Sequence, residues 1–168
     1  MIKNQLKLFS TILLGYALLS GCSSKSALSV FGEDSLYERG LEYTLIDDIV
    51  NSLETKAIIN ATYLNATNID NWDNEYQNFL IGIYIVHDNE KEENQFLNNK
   101  NYHLTLNDKN ISKTEVLLST NILWEHIPVK NPHAKYYITS FQKDKNTSLN
   151  LVYKHSSLGM ASLSFEAE

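Results

Sequence analysis

The side chains able to do chemistry in this 168-residue chain are few and scattered. Two of its five histidines stand close together, in Trp124-Glu125-His126 and Asn131-Pro132-His133. With Glu125 they offer the imidazole and carboxylate donors that zinc takes. Pro128 and Pro132 place them in an irregular connector, however, and no ligand spacing rule is met, so a surface or packing role is expected. His87 and Asp88 end an apolar run, where a turn hydrogen bond accounts for them. His103 and His155 flank strand residues and are expected to face solvent. A Ser-His-Asp triad assembles in space and needs no fixed spacing. Still, the chain carries no G-x-S-x-G elbow, no P-loop, no G-x-G-x-x-G and no H-E-x-x-H. The expectation is a protein with no catalytic residue, no metal ligand set and no cofactor.

The aromatic side chains are a stronger feature. Tyrosine and tryptophan combine large apolar area with a polar tip, which suits binding surfaces, although both are also ordinary strand residues. Trp72 lies in an Asn/Asp-rich stretch and Trp124 in the proline-bearing connector. These two are the candidate binding residues, weighed against packing as a lid over a sheet. Two further segments, Asp108-Lys109-Asn110-Ile111-Ser112 and Asp144-Lys145-Asn146-Thr147-Ser148, match the acidic-x-Asn-x-Ser/Thr acceptor pattern of some bacterial N-glycosylation systems. Asn110 and Asn146 are therefore candidate glycosylation sites. Turn chemistry alone also places Asp, Lys and Asn at such positions. Asn60-Ala61-Thr62 and Asn65-Ala66-Thr67 match only the shorter sequon.

The N-terminus has the parts of an export signal. Lys3 and Lys7 precede a mostly apolar run, residues 8–19, and small residues follow at Ser20 and Gly21. The run is shorter than the roughly 20 apolar residues a bilayer span needs. Leu19-Ser20-Gly21-Cys22 resembles the lipobox of bacterial lipoproteins. The resemblance covers about 22 residues and implies cleavage before Cys22, diacylglycerol on its thiol and a three-chain acyl anchor that is essentially permanent. Ser23, and not Asp, follows the cysteine, which in the enterobacterial sorting rule implies the outer membrane, with the domain facing the periplasm. Cys22 is the only cysteine; acylated, it is lost to disulfide, metal and catalytic roles, and the domain must hold together by packing.

A formal charge of −6, more negative once Lys3 and Lys7 leave with the signal, gives no counterion release on nucleic acid. It also gives no attraction to anionic lipid, so the membrane is reached through the lipid and the expected partner is an envelope protein. Hydrophobic content of 43% with 11% aromatic residues argues for a packed domain and against disorder.

Three regions follow: a signal peptide over residues 1–21, a flexible Ser-rich linker over 22–32, and one β-rich domain over 33–168, long enough for its own core. Residues 34–54 read as a helix. Ser35 and Glu38 form a capping box, and Tyr37, Leu41, Leu45 and Ile49 recur every four residues. From Lys56 the period becomes two. Strands are expected over residues 57–64, 79–87 (apolar on both faces, hence central), 102–106, 115–120, 135–142, 149–154 and 160–166, with turns at 65–74, 88–93, 107–110 and 143–146. About seven strands at hairpin spacing after one helix predict an antiparallel sandwich of immunoglobulin-like type; the rival is a small lipocalin-like barrel around a ligand cavity. The leading functional expectation is a non-enzymatic domain for protein interaction or envelope-complex assembly. Its alternatives are a carrier or sensor of a small apolar ligand, and an envelope enzyme.

Overall fold

The computed structural model describes residues 35–67, 72, 75–86, 95–143 and 145–167; the expected signal peptide, Cys22 and the expected linker lie outside them. A short helix α1 (Ser35–Glu42) leads into nine strands: β1 (Thr44–Asn51), β2 (Glu54–Tyr63), β3 (Tyr76–Ile85), β4 (Tyr102–Leu106), β5 (Lys109–Asn110), β6 (Lys113–Val116), β7 (Lys135–Gln142), β8 (Ser148–His155) and β9 (Gly159–Glu166). They form two antiparallel sheets, ordered β1-β2-β3-β7-β6 and β5-β4-β8-β9. Without β1, the first sheet has the A-B-E-D order and the second the C′-C-F-G order of an immunoglobulin-type sandwich. The expected fold class is therefore found, with β1 as an added hairpin strand. The chain passes between the sheets after β3, β5 and β7, and among the described residues no backbone ladder joins the two sheets, which sets the closed-barrel alternative aside.

Three of the expected elements change. The helix ends at Glu42, and residues 44–51 are a strand paired with β2 from Thr44↔Thr62 to Asn51↔Glu54. The recurrence of Leu41, Leu45 and Ile49 every four residues is the reason. Four is close to one helical turn and is also twice the strand period, so the pattern fits both. Thr44, Ile46, Ile49 and Val50 are β-branched, and pairing with β2 decides the case. The strand expected over 115–120 is instead Lys113–Val116, and Leu117 turns inward to be buried. The turn expected over 107–110 shortens to Asn107 and Asp108, at φ 47° and 63°. Two consecutive positive-φ residues make the tight hairpin loop whose backbone twist matches the strands, which leaves Lys109 and Asn110 free to pair as β5.

Side chains of the two sheets meet in one buried cluster between them. Alternate residues of β3 (Phe79, Ile81, Ile83) meet Leu149, Leu151, Leu163 and Phe165 from the opposite sheet, all buried. At one end Phe79 packs edge-on to Phe141 and Phe165, with centroids 6.0 Å and 5.3 Å away. The Tyr63 hydroxyl lies beside them and donates to the buried Gln77 side-chain oxygen. At the other end Tyr102 stacks on Tyr153 at 5.1 Å. Tyr137 also points into the sandwich, and burial pushes its phenol up to about 12; it stays protonated at any physiological pH.

His155 is half-buried, not simply solvent-facing. Its ring meets Tyr102 edge-on at 4.5 Å, and its Nδ1 accepts from the backbone N–H groups of Ser157 and Leu158 at 3.0 Å and 3.1 Å. Desolvation lowers its pKa, and a proton on Nδ1 would oppose two donors. A depressed folded-state pKa means that the contribution is present above the unfolded value of about 6.5 and is lost as pH falls below it. The expected result is a modest drop in thermal midpoint from pH 7.5 to 5.5 that shrinks in His155→Asn. Equal pH slopes in the two proteins would remove this role.

Candidate functional site: the covered outer face of the first sheet

The outer face of the first sheet is apolar at its centre. Register places Leu80 beside Ile138, and Gly82 beside both Asn60 and Tyr136. A sheet face of this kind must be covered or bind something. Here the long connector between β6 and β7 folds back over it. Leu64, Leu80, Leu117, Ile127 and Tyr136 form a second buried cluster, with Trp72, Leu123 and Trp124 packed against it.

Few bonds hold the connector in place. Val129 carbonyl accepts from the Asn60 side-chain amide at 2.7 Å and from the Tyr136 hydroxyl at 3.1 Å. The same hydroxyl accepts from the Asn131 backbone N–H at 2.7 Å. Asn121 caps the short 3-10 turn Ile122–Trp124 by accepting from the Leu123 N–H at 2.9 Å. Trp124 stands edge-on to Tyr136 with centroids 5.7 Å apart, and Lys130 Nζ sits 4.4 Å above its ring while donating to the Trp124 carbonyl at 3.1 Å. Gly40 of α1 meets the ring of Pro128, so the helix also leans on the connector.

The two tryptophans singled out in the sequence are thus brought into one cluster. Trp72 is half-buried, and its indole nitrogen is buried with no hydrogen-bond partner among the described residues. Trp124 is half-buried and, with Lys130, Asn131 and Pro132, lines a surface recess of about 360 Å³. Lys130 covers one ring face by a cation–π contact, and the indole borders the recess.

The other candidates stay apart. Among the described residues no group of three His, Cys, Asp or Glu side chains comes together. His103 is exposed on β4. The His133 ring lies 6.1 Å from Tyr84, and His126 lines a small recess with Leu123 and Pro128; His87 is outside the described residues. Asn110 is exposed on β5 and Asn146 is exposed in the β7–β8 connection. The shorter sequons are built into the fold: the Asn60 amide holds Val129, and Asn65 bonds both the Tyr76 carbonyl and the Asn78 N–H.

Sequence reasoning missed Asn60, Gly82, Lys130 and Tyr136. Gly82 carried a usable signal, since an isolated glycine inside an apolar strand marks a place where something approaches the backbone closely. The tyrosine and asparagine carried none, because both are common strand and turn residues.

No protein-family model, no curated protein and no solved structure matches this chain. The sandwich fold and the covered sheet face define its class: an immunoglobulin-like β-sandwich domain.

Proposed function

We propose that the chain is a lipid-anchored protein of the cell envelope whose immunoglobulin-like domain works by binding other proteins and not by catalysis. The anchor is the acylated Cys22, and Ser23 directs the protein to the outer membrane with the domain in the periplasm. The observation that supports the interaction reading is apolar surface left exposed on a domain that buries a core of its own. Ile46 (52% exposed), Val50 (51%) and Leu53 (100%) stand out on the β1–β2 hairpin, and Met160 (61%) on β9. Apolar side chains of this size left in water mark surfaces open to contact.

The test is a pull-down of the tagged native protein from gently solubilised envelopes. A stoichiometric protein partner is expected; a co-purifying lipid or small molecule without protein would replace this reading with that of a carrier. Trp124→Ala is expected to weaken the captured complex while lowering stability by about 2 kcal/mol, less than the loss for a fully buried aromatic. Unchanged capture with lowered stability would assign Trp124 to the connector's packing alone.

Asp108 has a structural explanation in the hairpin turn, with φ 63°, where Asp is favoured. The intact mass of the native protein is therefore expected to equal polypeptide plus lipid. An added glycan mass, removed in Asn110→Gln or Asn146→Gln, would show that these sequons are used.

A further inference from the structure

Strand β6 is the free edge of the first sheet, and all four of its residues are exposed. Its backbone orientation follows from the register with β7. Leu117 N–H donates to the Tyr136 carbonyl at 2.9 Å, and Glu115 and Lys113 lie opposite Ile138 and Ser140. Residues 113, 115 and 117 therefore direct their backbone groups toward β7, and Thr114 and Val116 direct theirs outward. Such an edge is a template for another strand, and its side chains specify which strand fits.

The geometry points to a second copy of this chain as that strand, paired antiparallel through β6 about a two-fold axis at Thr114. Only residues with outward-facing backbone can form the hydrogen-bonded pairs, so registers centred on Thr114, Glu115 or Val116 are the ones to compare. Centring on Glu115 would set two carboxylates against each other at the closest cross-strand distance, which is destabilising. Centring on Val116 leaves the charges of Lys113 and Glu115 without opposite partners. Centring on Thr114 lets the two Thr114 residues exchange both backbone bonds and sets each Lys113 directly opposite Glu115 of the other copy. Opposite charges on both sides of the axis are the favourable cross-strand arrangement, and an isologous contact of this kind closes at two.

Within the chain Glu115 makes no salt bridge among the described residues; Lys113 reaches across β7 to stand 4.0 Å above the Tyr76 ring of β3, so pairing draws its ammonium from that ring to Glu115 of the other copy. Val116 and Leu118, 40% and 62% exposed, flank the row and would lose water on pairing. A short edge buries less than the roughly 1,200 Å² of a stable free interface; tethering both copies to one membrane raises their effective concentration. The pairing rests on the interaction reading above and names its partner.

Sedimentation velocity of the full lipidated chain in a non-ionic detergent, over a concentration series, tests it. The wild type is expected to reach a dimer. Thr114→Pro removes an outward N–H at an edge position that tolerates proline, and is expected to weaken the dimer at least about tenfold with little change in thermal midpoint. Glu115→Lys and Lys113→Glu are each expected to weaken it similarly, and the double reversal to restore it. A wild type that stays monomeric overturns the pairing, and so does a dimer indifferent to Thr114→Pro. Failure of the double reversal to restore the dimer overturns the register. Asn110 lies three residues before this edge, so a native protein glycosylated at Asn110 overturns the pairing as well. A monomeric chain that still captures a different envelope protein leaves the interaction function standing and removes only the self-pairing.

Discussion

Gly82→Ala is expected to lower stability by about 3 kcal/mol, where alanine for glycine in a strand ordinarily gains a few tenths to one. The sign is reversed by the outer face of the first sheet. A Cβ at position 82 would collide with the side-chain oxygen of Asn60 and would come within 2.5 Å of Tyr136 Cε1. Neither can retreat freely, because the Asn60 amide and the Tyr136 hydroxyl both bond Val129. Accommodating a methyl group therefore displaces the ring, the amide and the connector they hold. Overpacking alone costs about 1–3 kcal/mol, and each lost hydrogen bond adds about 1. Urea unfolding of Gly82→Ala, Asn60→Ala and the double variant measures the effect. The double should cost clearly less than the sum of the singles, since Asn60→Ala opens the space the methyl needs. Additive losses would mean that the amide does not occupy that space. Trp124 fluorescence should change in Gly82→Ala, because its ring packs on Tyr136.

Cys22→Ser is expected to abolish lipid attachment and cleavage before residue 22. A serine hydroxyl does not accept the diacylglycerol that a cysteine thiolate takes. Each buried methylene of the lost chains contributes about 0.8 kcal/mol, so three chains exceed any attraction the acidic domain has for a membrane. Fractionation with radiolabelled palmitate should show an unprocessed, unlabelled chain. The domain itself should be unaffected: a thermal midpoint equal to that of wild type is the companion result. A Cys22→Ser chain that still enters membranes as a processed, lipid-labelled protein would defeat the anchoring proposal.

Strand positions were the most legible part of the fold. The period of two along 102–106 and 135–142 reappears as β4 and β7 with the same bounds, and the run apolar on both faces became β3, buried on both sides at the centre of its sheet. Side-chain alternation is a local property of the backbone, so a single sequence displays it. The class of fold followed from the number and spacing of those strands. Where two periods coincided, as at Leu41, Leu45 and Ile49, local pattern had no means to choose, and pairing with β2 chose the strand.

The site was legible only in pieces. Residue types alone marked Trp72, Trp124 and the proline-bearing connector, and the proposed leader and anchor at Cys22 rest on sequence altogether. Tertiary structure decided that the connector covers the first sheet, that Gly82 is the space into which Asn60 and Tyr136 fit, and that the sequons at Asn60 and Asn65 are consumed by the fold while Asn110 stays exposed. It also decided that Thr114 and Val116 turn their backbones outward on a free edge. These depend on register and on which face a distant segment covers. Both are set by contacts between residues far apart in the chain, and a one-residue slip would reverse them.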